Sequence, residues 1–343
     1  MTIFWLKEQS TNVLSVFPLV LRALSVGDKF QQGSEARYID EAIVLDREAL
    51  ELCTPDHPQR STCLFQLAIH LSNRYKLLGG VEYLNEAIRL DRDALALRPP
   101  GHPDRSSSLN NLAVRLGTRY KLLGGVEDLN EAILLDRDAL ALRPPGHPNR
   151  SSSLNNLALH LATQYHLLGG VEDLNEAILL DRDALALRPP GHPDRSMSLN
   201  NLAVDLATRY DLLGGVEDLN EGIMLGRDAL ALFPPGHPDQ PSSLNNLALH
   251  LATRYDLLGG VEDLNEAILL DRDALTLRPP GNPDRSMSLN NLANCLATRY
   301  KLVGGCHTAS LETLLIAIPF YSLSYISPRT KRNDSVFILS WQV

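Results

Sequence analysis

Residues Ser106 to Arg150 read SSSLNNLAVRLGTRYKLLGGVEDLNEAILLDRDALALRPPGHPNR, and Ser151 to Arg195 repeat the phrase with six changes. The same frame recurs from Ser196, Pro241 and Ser286, and backwards from Ser61, with a period of 45 residues and no insertion. A weaker copy precedes it, carried by Ile39-Asp40-Glu41-Ala42-Ile43 and Leu45-Asp46-Arg47-Glu48-Ala49-Leu50. Self-similarity at a fixed period of this length is the mark of an array of supersecondary units, so two independent globular domains are not expected.

Each unit predicts two helices. Leu109, Leu112, Ala113, Leu116 and Tyr120 fall at i, i+3, i+4, i+7 and i+11, the spacing of one buried helical face. Asp104 or Ser106 is the expected N-cap, and Gly124-Gly125 ends the helix where a left-handed residue is easiest for glycine. The second helix opens on Glu127 and Asp128, which suit a helix N-terminus, and buries Leu129, Ala132, Ile133 and Leu140. Pro144-Pro145-Gly146 stops it. A lone hairpin cannot cover its apolar stripe, so successive hairpins must stack into a solenoid held by nearest-neighbour contacts. Ala113, Ala132 and Ala139 are the expected points of close approach. Nothing alternates with period two, which excludes WD40 blades; HEAT repeats of similar length remain an alternative.

The order large, large, small on the first helix (Leu109, Leu112, Ala113, Leu116), followed by Gly124, Ala132 and Ala139, resembles the tetratricopeptide (TPR) pattern. The run Leu109-Asn110-Asn111-Leu112-Ala113 with His147-Pro148 closing the unit is similar to the longer repeats of kinesin light chain. Such arrays also occur beside CHAT (caspase-like) protease domains and nucleotide-binding switch domains. The resemblance covers residues 34 to 305 and implies an all-α fold, a right-handed α-solenoid of stacked helix-turn-helix (TPR-like) repeats. The expected organisation is a divergent segment over 1–15 and a solenoid over 16–305. Its units are 16–60, 61–105, 106–150, 151–195, 196–240 and 241–285, with a half unit at 286–305. An off-register tail follows over 306–343. Two departures stand out. Seven more residues separate Ala113 from Ala132 than the family pattern leads one to expect. After Gly305, Cys306-His307-Thr308-Ala309-Ser310 stands where Val-Glu-Asp-Leu-Asn-Glu-Ala should follow. The tail reads either as a divergent cap or as the end of a truncated or mis-spliced frame.

Composition narrows the function classes. The 32 basic and 41 acidic residues leave a net charge of −9, which argues against a nucleic-acid backbone as ligand. Aromatics at 6% are too few for base-stacking platforms. Cys53, Cys63, Cys295 and Cys306 form no CxxC pair and read as reduced thiols of a cytoplasmic protein. The apolar stretch Val13–Leu24 is interrupted by Pro18 and Arg22, so neither a leader nor a membrane span is expected.

No GxSxG, HExxH or GxxxxGK[ST] motif occurs, so the chain is read as no enzyme, with catalytic residues, cofactor and metal all set at none. His57, His102, His147, His192 and His237 always precede proline, and the sixth copy has Asn282. Equivalent atoms one hairpin apart, roughly 10 Å, cannot share a metal at about 2 Å, so these histidines are read as turn residues. Surface remains. Asparagine is a modest helix former, yet two recur inside the first helix of each unit. One row is Asn111, Asn156, Asn201, Asn246 and Asn291; the other is Asn110, Asn155, Asn200, Asn245 and Asn290. One reading is a ladder on the concave wall whose amides hold a peptide backbone, which the resemblance also implies; the other is that they tile the seam between hairpins. The first row is favoured for the groove.

Three columns invite a role. His70, Arg115, His160, Asp205, His250 and Cys295 vary between units, as do Lys76, Lys121, His166, Asp211, Asp256 and Lys301. Both sets are read as exposed positions free to drift, or as sites of unit-specific contacts. Arg74, Arg119, Arg209, Arg254 and Arg299, with Gln164, are expected to pair with Asp136-type carboxylates between hairpins. Gly222 and Gly226 on one helix predict a bend or softness near 218–233, with Phe233 packing over the gap. The function expected is a non-catalytic scaffold for peptide or protein partners, without nucleic acid or membrane and with self-association open. The alternative is a regulatory arm whose effector domain lies outside the chain.

Overall fold

The computed structural model describes residues 2–33, 35–234 and 236–302. Thirteen helices lie among them: α1 (Thr2–Gly33), α2 (Ala36–Leu52), α3 (Arg60–Leu78), α4 (Val81–Ala96), α5 (Arg105–Leu123), α6 (Val126–Ala141), α7 (Arg150–Leu168), α8 (Val171–Ala186), α9 (Arg195–Leu213), α10 (Val216–Leu232), α11 (Gln240–Leu258), α12 (Val261–Thr276) and α13 (Arg285–Leu302). No strand occurs among the described residues. Two compact units divide the chain, Met1–Pro234 and Pro235–Val343. In the first, α1/α2, α3/α4, α5/α6, α7/α8 and α9/α10 form hairpins, and each second helix up to α8 packs on the first helix of the next pair. In the second, α11/α12 is a hairpin and α12 packs on α13. The tail over 306–343 lies outside the described residues, and α1 runs through the segment read as divergent over 1–15.

The apolar stripes pack largely as their spacing predicts, with Tyr120 and Leu140 half-buried at the margin. Leu109, Leu112, Ala113 and Leu116 are buried on α5, as are Leu129, Ala132, Ile133 and Ala139 on α6. The clusters bridge hairpins: Leu84 and Ile88 of α4 share one core with Leu112, Ala113 and Leu116 of α5 and Ala132 of α6. Gly124 takes φ 78, ψ 12, the left-handed stop, and its N–H returns to the Tyr120 carbonyl. The predicted N-cap does not form. Asp104 sits at φ −88, ψ 2 with no capping bond, outside the extended conformation that capping requires, and Ser106 lies inside the helix.

The histidine before each proline organises the turn instead. Nδ1 of His57, His102, His147, His192 and His237 accepts the backbone N–H two residues on, at 3.1–3.2 Å. Asn282 does the same through Oδ1 at 2.9 Å, so the two residue types are interchangeable there. A buried arginine then ties the turn down: Arg143 donates to Ser153 Oγ and to the Asn149 carbonyl, and Arg98, Arg188 and Arg278 repeat the pattern. In the first copy Cys53 and Cys63 replace that arginine and serine, their sulfurs 3.6 Å apart. In the fifth, Phe233 stands in the arginine's place and is buried with α8 and α9 residues, while α10 runs unbroken through Gly222 and Gly226.

The first variable column proves to be buried. Asp46, Asp91, Asp136, Asp181 and Asp271 point from the second helix into the seam, each at most 1% exposed, and each meets the residue 24 positions later. His70 Nδ1 lies 2.6 Å from Asp46 Oδ2, and His160 Nδ1 2.6 Å from Asp136 Oδ2. Arg115 is bonded to Asp91. The reading of this column as exposed is therefore corrected, because the facing helix buries it. Size is matched as well as charge: the His160 ring lies where a Cβ on Gly117 would be, and His70 likewise meets Gly27. The expected arginine pairing is also corrected. Arg119, Arg209 and Arg254 form bidentate pairs with Asp128, Asp218 and Asp263 at the start of their own second helix, at 2.6–2.8 Å. Arg74, lacking that acid, bonds Asp40 and stacks over Tyr83.

Two predictions follow from the seams. Gly117→Ala gains up to ~1 kcal/mol of helix propensity but forces a methyl into the His160 ring, an overpacking of ~1–3 kcal/mol, so chemical denaturation should show a net loss. At the α8–α9 seam two acids, Asp181 and Asp205, face one another; burial pushes Asp205 up to about 7 and Asp181 well above its usual range, with the neighbouring Asp205 adding to the latter. The folded chain thus keeps a proton that the unfolded chain releases near 3.8, and stability falls as pH rises from about 4 to 7. Asp205→Asn should melt higher than the parent at pH 8 and lose much of that advantage at pH 5.

Candidate functional site

A first helix inside the array is covered by its own partner, by the preceding second helix and by neighbouring first helices, since α5 touches α7 and α7 touches α9. One stripe is left open. On α7 it is Ser152, Asn156, Leu159, Thr163 and His166, at i, i+4, i+7, i+11 and i+14, all half-buried or exposed. On α5 the same stripe is Ser107, Asn111, Val114, Thr118 and Lys121, and on α9 it is Met197, Asn201, Val204, Thr208 and Asp211. The second unit repeats it on α11, with Asn246, Leu249, Thr253 and Asp256, and on α13, with Asn291, Asn294, Thr298 and Lys301.

The two asparagine rows part company here. Asn110, Asn155 and Asn245 are buried, Asn200 is half-buried and Asn290 is exposed. Asn110 Oδ1 accepts from Arg143 at 3.1 Å, from Ser153 Oγ at 3.4 Å and from Asn156 Nδ2 at 3.2 Å. Asn155 Oδ1 accepts from Arg188 and from Asn201 Nδ2, and Asn245 Nδ2 donates to Ser288 Oγ. Asn111, Asn156, Asn201, Asn246 and Asn291 are half-buried on the open stripe. Asn156 and Asn201 each bond the row behind them through Nδ2.

Around this row the chemistry is mixed. Thr118, Thr163, Thr208 and Thr253 return their hydroxyl hydrogens to the carbonyl four residues back, at 2.6–2.9 Å, and so present oxygen lone pairs outward. Leu159 is 39% and Leu249 55% exposed, apolar contacts set between these polar rows. At the stripe's end the second variable column is exposed as expected: Lys76, Lys121, His166 and Asp211 run from basic to acidic over α3, α5, α7 and α9. Between the stripes of α11 and α13 a cavity of about 190 Å³ opens, lined in part by Leu249, Asp256, Asn291 and Asn294. Sequence reasoning passed over the Val114/Leu159 and Thr118/Thr163 columns. They were legible as the positions left over once the buried stripe had been assigned. Among the described residues no group of three or more His, Cys, Asp and Glu is placed to hold a metal ion, and no helix is long and apolar enough to cross a membrane.

No family model and no curated protein matches the sequence. Solved structures do match the fold. The Cut9–Hcn1 hetero-tetramer of the APC/C aligns at TM-score 0.56 and 15% identity, over 84% of this chain and 46% of that one. Human IFIT1, solved as a dimer with PPP-AAAA, aligns at 0.53 and 14% over 88% and 63%. A Podosopora anserina protein described as a kinesin light chain with nearly identical TPR-like repeats aligns at 0.45 and 23% over 65% and 100%. The fold is that of a TPR-like helical-repeat array.

The two rows should respond differently to truncation. Asn155→Ala strips Arg188 of a buried acceptor and is expected to lower stability by ~1–3 kcal/mol. Asn156→Ala loses one partly exposed bond, ~0.5–1.5 kcal/mol. Urea unfolding of the two variants side by side checks the order; equal losses would place both rows in the seam.

Proposed function

We propose that this TPR-like array is a non-catalytic scaffold that holds an extended peptide segment of a partner protein along the open stripe of its first helices. The observation that carries the reading is the stripe itself. It repeats asparagine, an aliphatic residue and threonine at the same positions of α5, α7, α9 and α11. Asparagine Oδ1 and threonine Oγ accept hydrogen bonds from a peptide backbone, and the aliphatic row receives side chains. Packed helices lie ~8–10 Å apart and an extended chain rises ~3.3 Å per residue, so each hairpin meets about every third residue of the ligand. The charges at the stripe's end then favour one direction and one charge pattern, with acidic ligand residues over Lys76 and Lys121 and basic ones over Asp211. The acidic net charge of the chain fits a peptide better than a phosphate backbone.

An array of 15-residue peptides displays candidate ligands. The variant Leu159→Glu with Leu249→Glu should bind the captured peptides at least about tenfold more weakly, or ~1.4 kcal/mol, with little change in melting temperature. Leu134→Glu, at an exposed position of a second helix, should bind as the parent does. Capture of no peptide, or equal weakening by Leu134→Glu, would overturn the reading.

A further inference from the structure

The seam between α12 and α13 departs from the three in which a buried aspartate meets a basic side chain. Asp46, Asp91 and Asp136 each face a basic side chain, namely His70, Arg115 and His160. Asp271 faces Cys295 instead, with Sγ 3.7 Å from Oδ2. The carboxylate is fully buried, and its Oδ1 lacks a hydrogen-bond partner, as does that of Asp46, Asp91 and Asp136; what sets Asp271 apart is that its Oδ2 meets a thiol and no cation. A thiol is also much shorter than an arginine or a histidine ring. The space such a side chain would take up is the floor of the cavity of about 190 Å³, which Asp271 and Cys295 both line.

We propose that this cavity receives one basic side chain, arginine or lysine, from the bound peptide. The ligand would thereby supply from outside the group that Arg115 supplies from inside at the α4–α5 seam. The proposal deepens the peptide-scaffold reading and rests on it. The cavity's chemistry matches a long cationic side chain along its whole depth. Asp256 stands at the exposed rim, Asn291 and Asn294 offer carbonyl oxygens, Leu249 and Leu264 flank the methylene stem, and Asp271 forms the floor. Among the described residues no lysine or arginine lines it. Its volume is below the ~300 Å³ at which sites for drug-sized molecules begin, which suits a single side chain. Burial without a cation pushes Asp271 up to about 7, the condition that a guanidinium or ammonium group would relieve.

The test uses the full chain, with N-acetyl-arginine methylamide as probe and its neutral citrulline counterpart as control, followed by the backbone amide signals of Asn294, Cys295 and Thr298. The arginine probe should give saturable shifts at these amides, and the citrulline compound should bind at least tenfold more weakly. Asp271→Asn, which keeps the cavity and removes the charge, should lose the response. Cys295→Arg, which fills the cavity from within, should lose it too and melt higher than the parent. Absence of a saturable shift, equal binding of citrulline, or an unchanged response in Asp271→Asn would overturn the proposal. Because the probe is a single blocked residue, its result stands apart from the peptide array. Peptides captured through Leu159 and Leu249 without any arginine response would remove the anchor and leave the scaffold.

Discussion

A pair of antiparallel helices leaves one apolar face uncovered, and within each unit only the next hairpin can cover it. That constraint fixes nearly everything else. Leu84 and Ile88 have no core of their own until Leu112 and Leu116 arrive, and those in turn close against Ala132. Stability in such an array is a sum of local terms joined by nearest-neighbour interfaces. The quality of each seam therefore matters more than that of any single helix. A buried acid in every described seam sharpens the point, since a carboxylate without a partner is costly where water cannot reach it.

The seams are built to one plan and finished differently. Histidine meets aspartate where the preceding first helix carries glycine, at Gly27 and Gly117, because the ring needs the volume of the missing methyl. Arginine meets Asp91, with Ser72 at the matching position. Two acids share the α8–α9 seam, where burial pushes both carboxyl groups above their usual range. Each solution balances charge and volume together. Exchanging a residue between seams without its companion disturbs both. Near-identical repeats are thus less interchangeable than their sequences suggest.

The open stripe is the converse of this packing. Once three sides of a first helix are taken, the residues that remain carry less of the packing. Asn156 stands on the border: half-buried on the stripe, it braces the row behind it through an amide hydrogen. The residue that helps to align neighbouring helices is in this way also the one that recurs along the stripe at the spacing of the hairpins. The rigidity of the seam becomes the ruler of the surface.

Much of this was legible in the sequence. The 45-residue period, the two apolar stripes, Gly124 as a left-handed stop and the histidine/asparagine turn all follow from local rules of spacing and backbone conformation, which need no knowledge of neighbours. What stayed hidden was decided across seams. Arg115 and Lys121 vary alike from unit to unit, yet one is buried against Asp91 and the other is exposed, because the two positions lie on opposite sides of the line where the preceding second helix docks. Arg119 was matched to the wrong acid because Asp128 is brought close by the turn of the hairpin, and periodicity along a single helix does not register that turn. Sequence determines which faces must be covered. Only the tertiary structure decides which side chain each covered residue meets, since a contact is set by the helix that packs opposite.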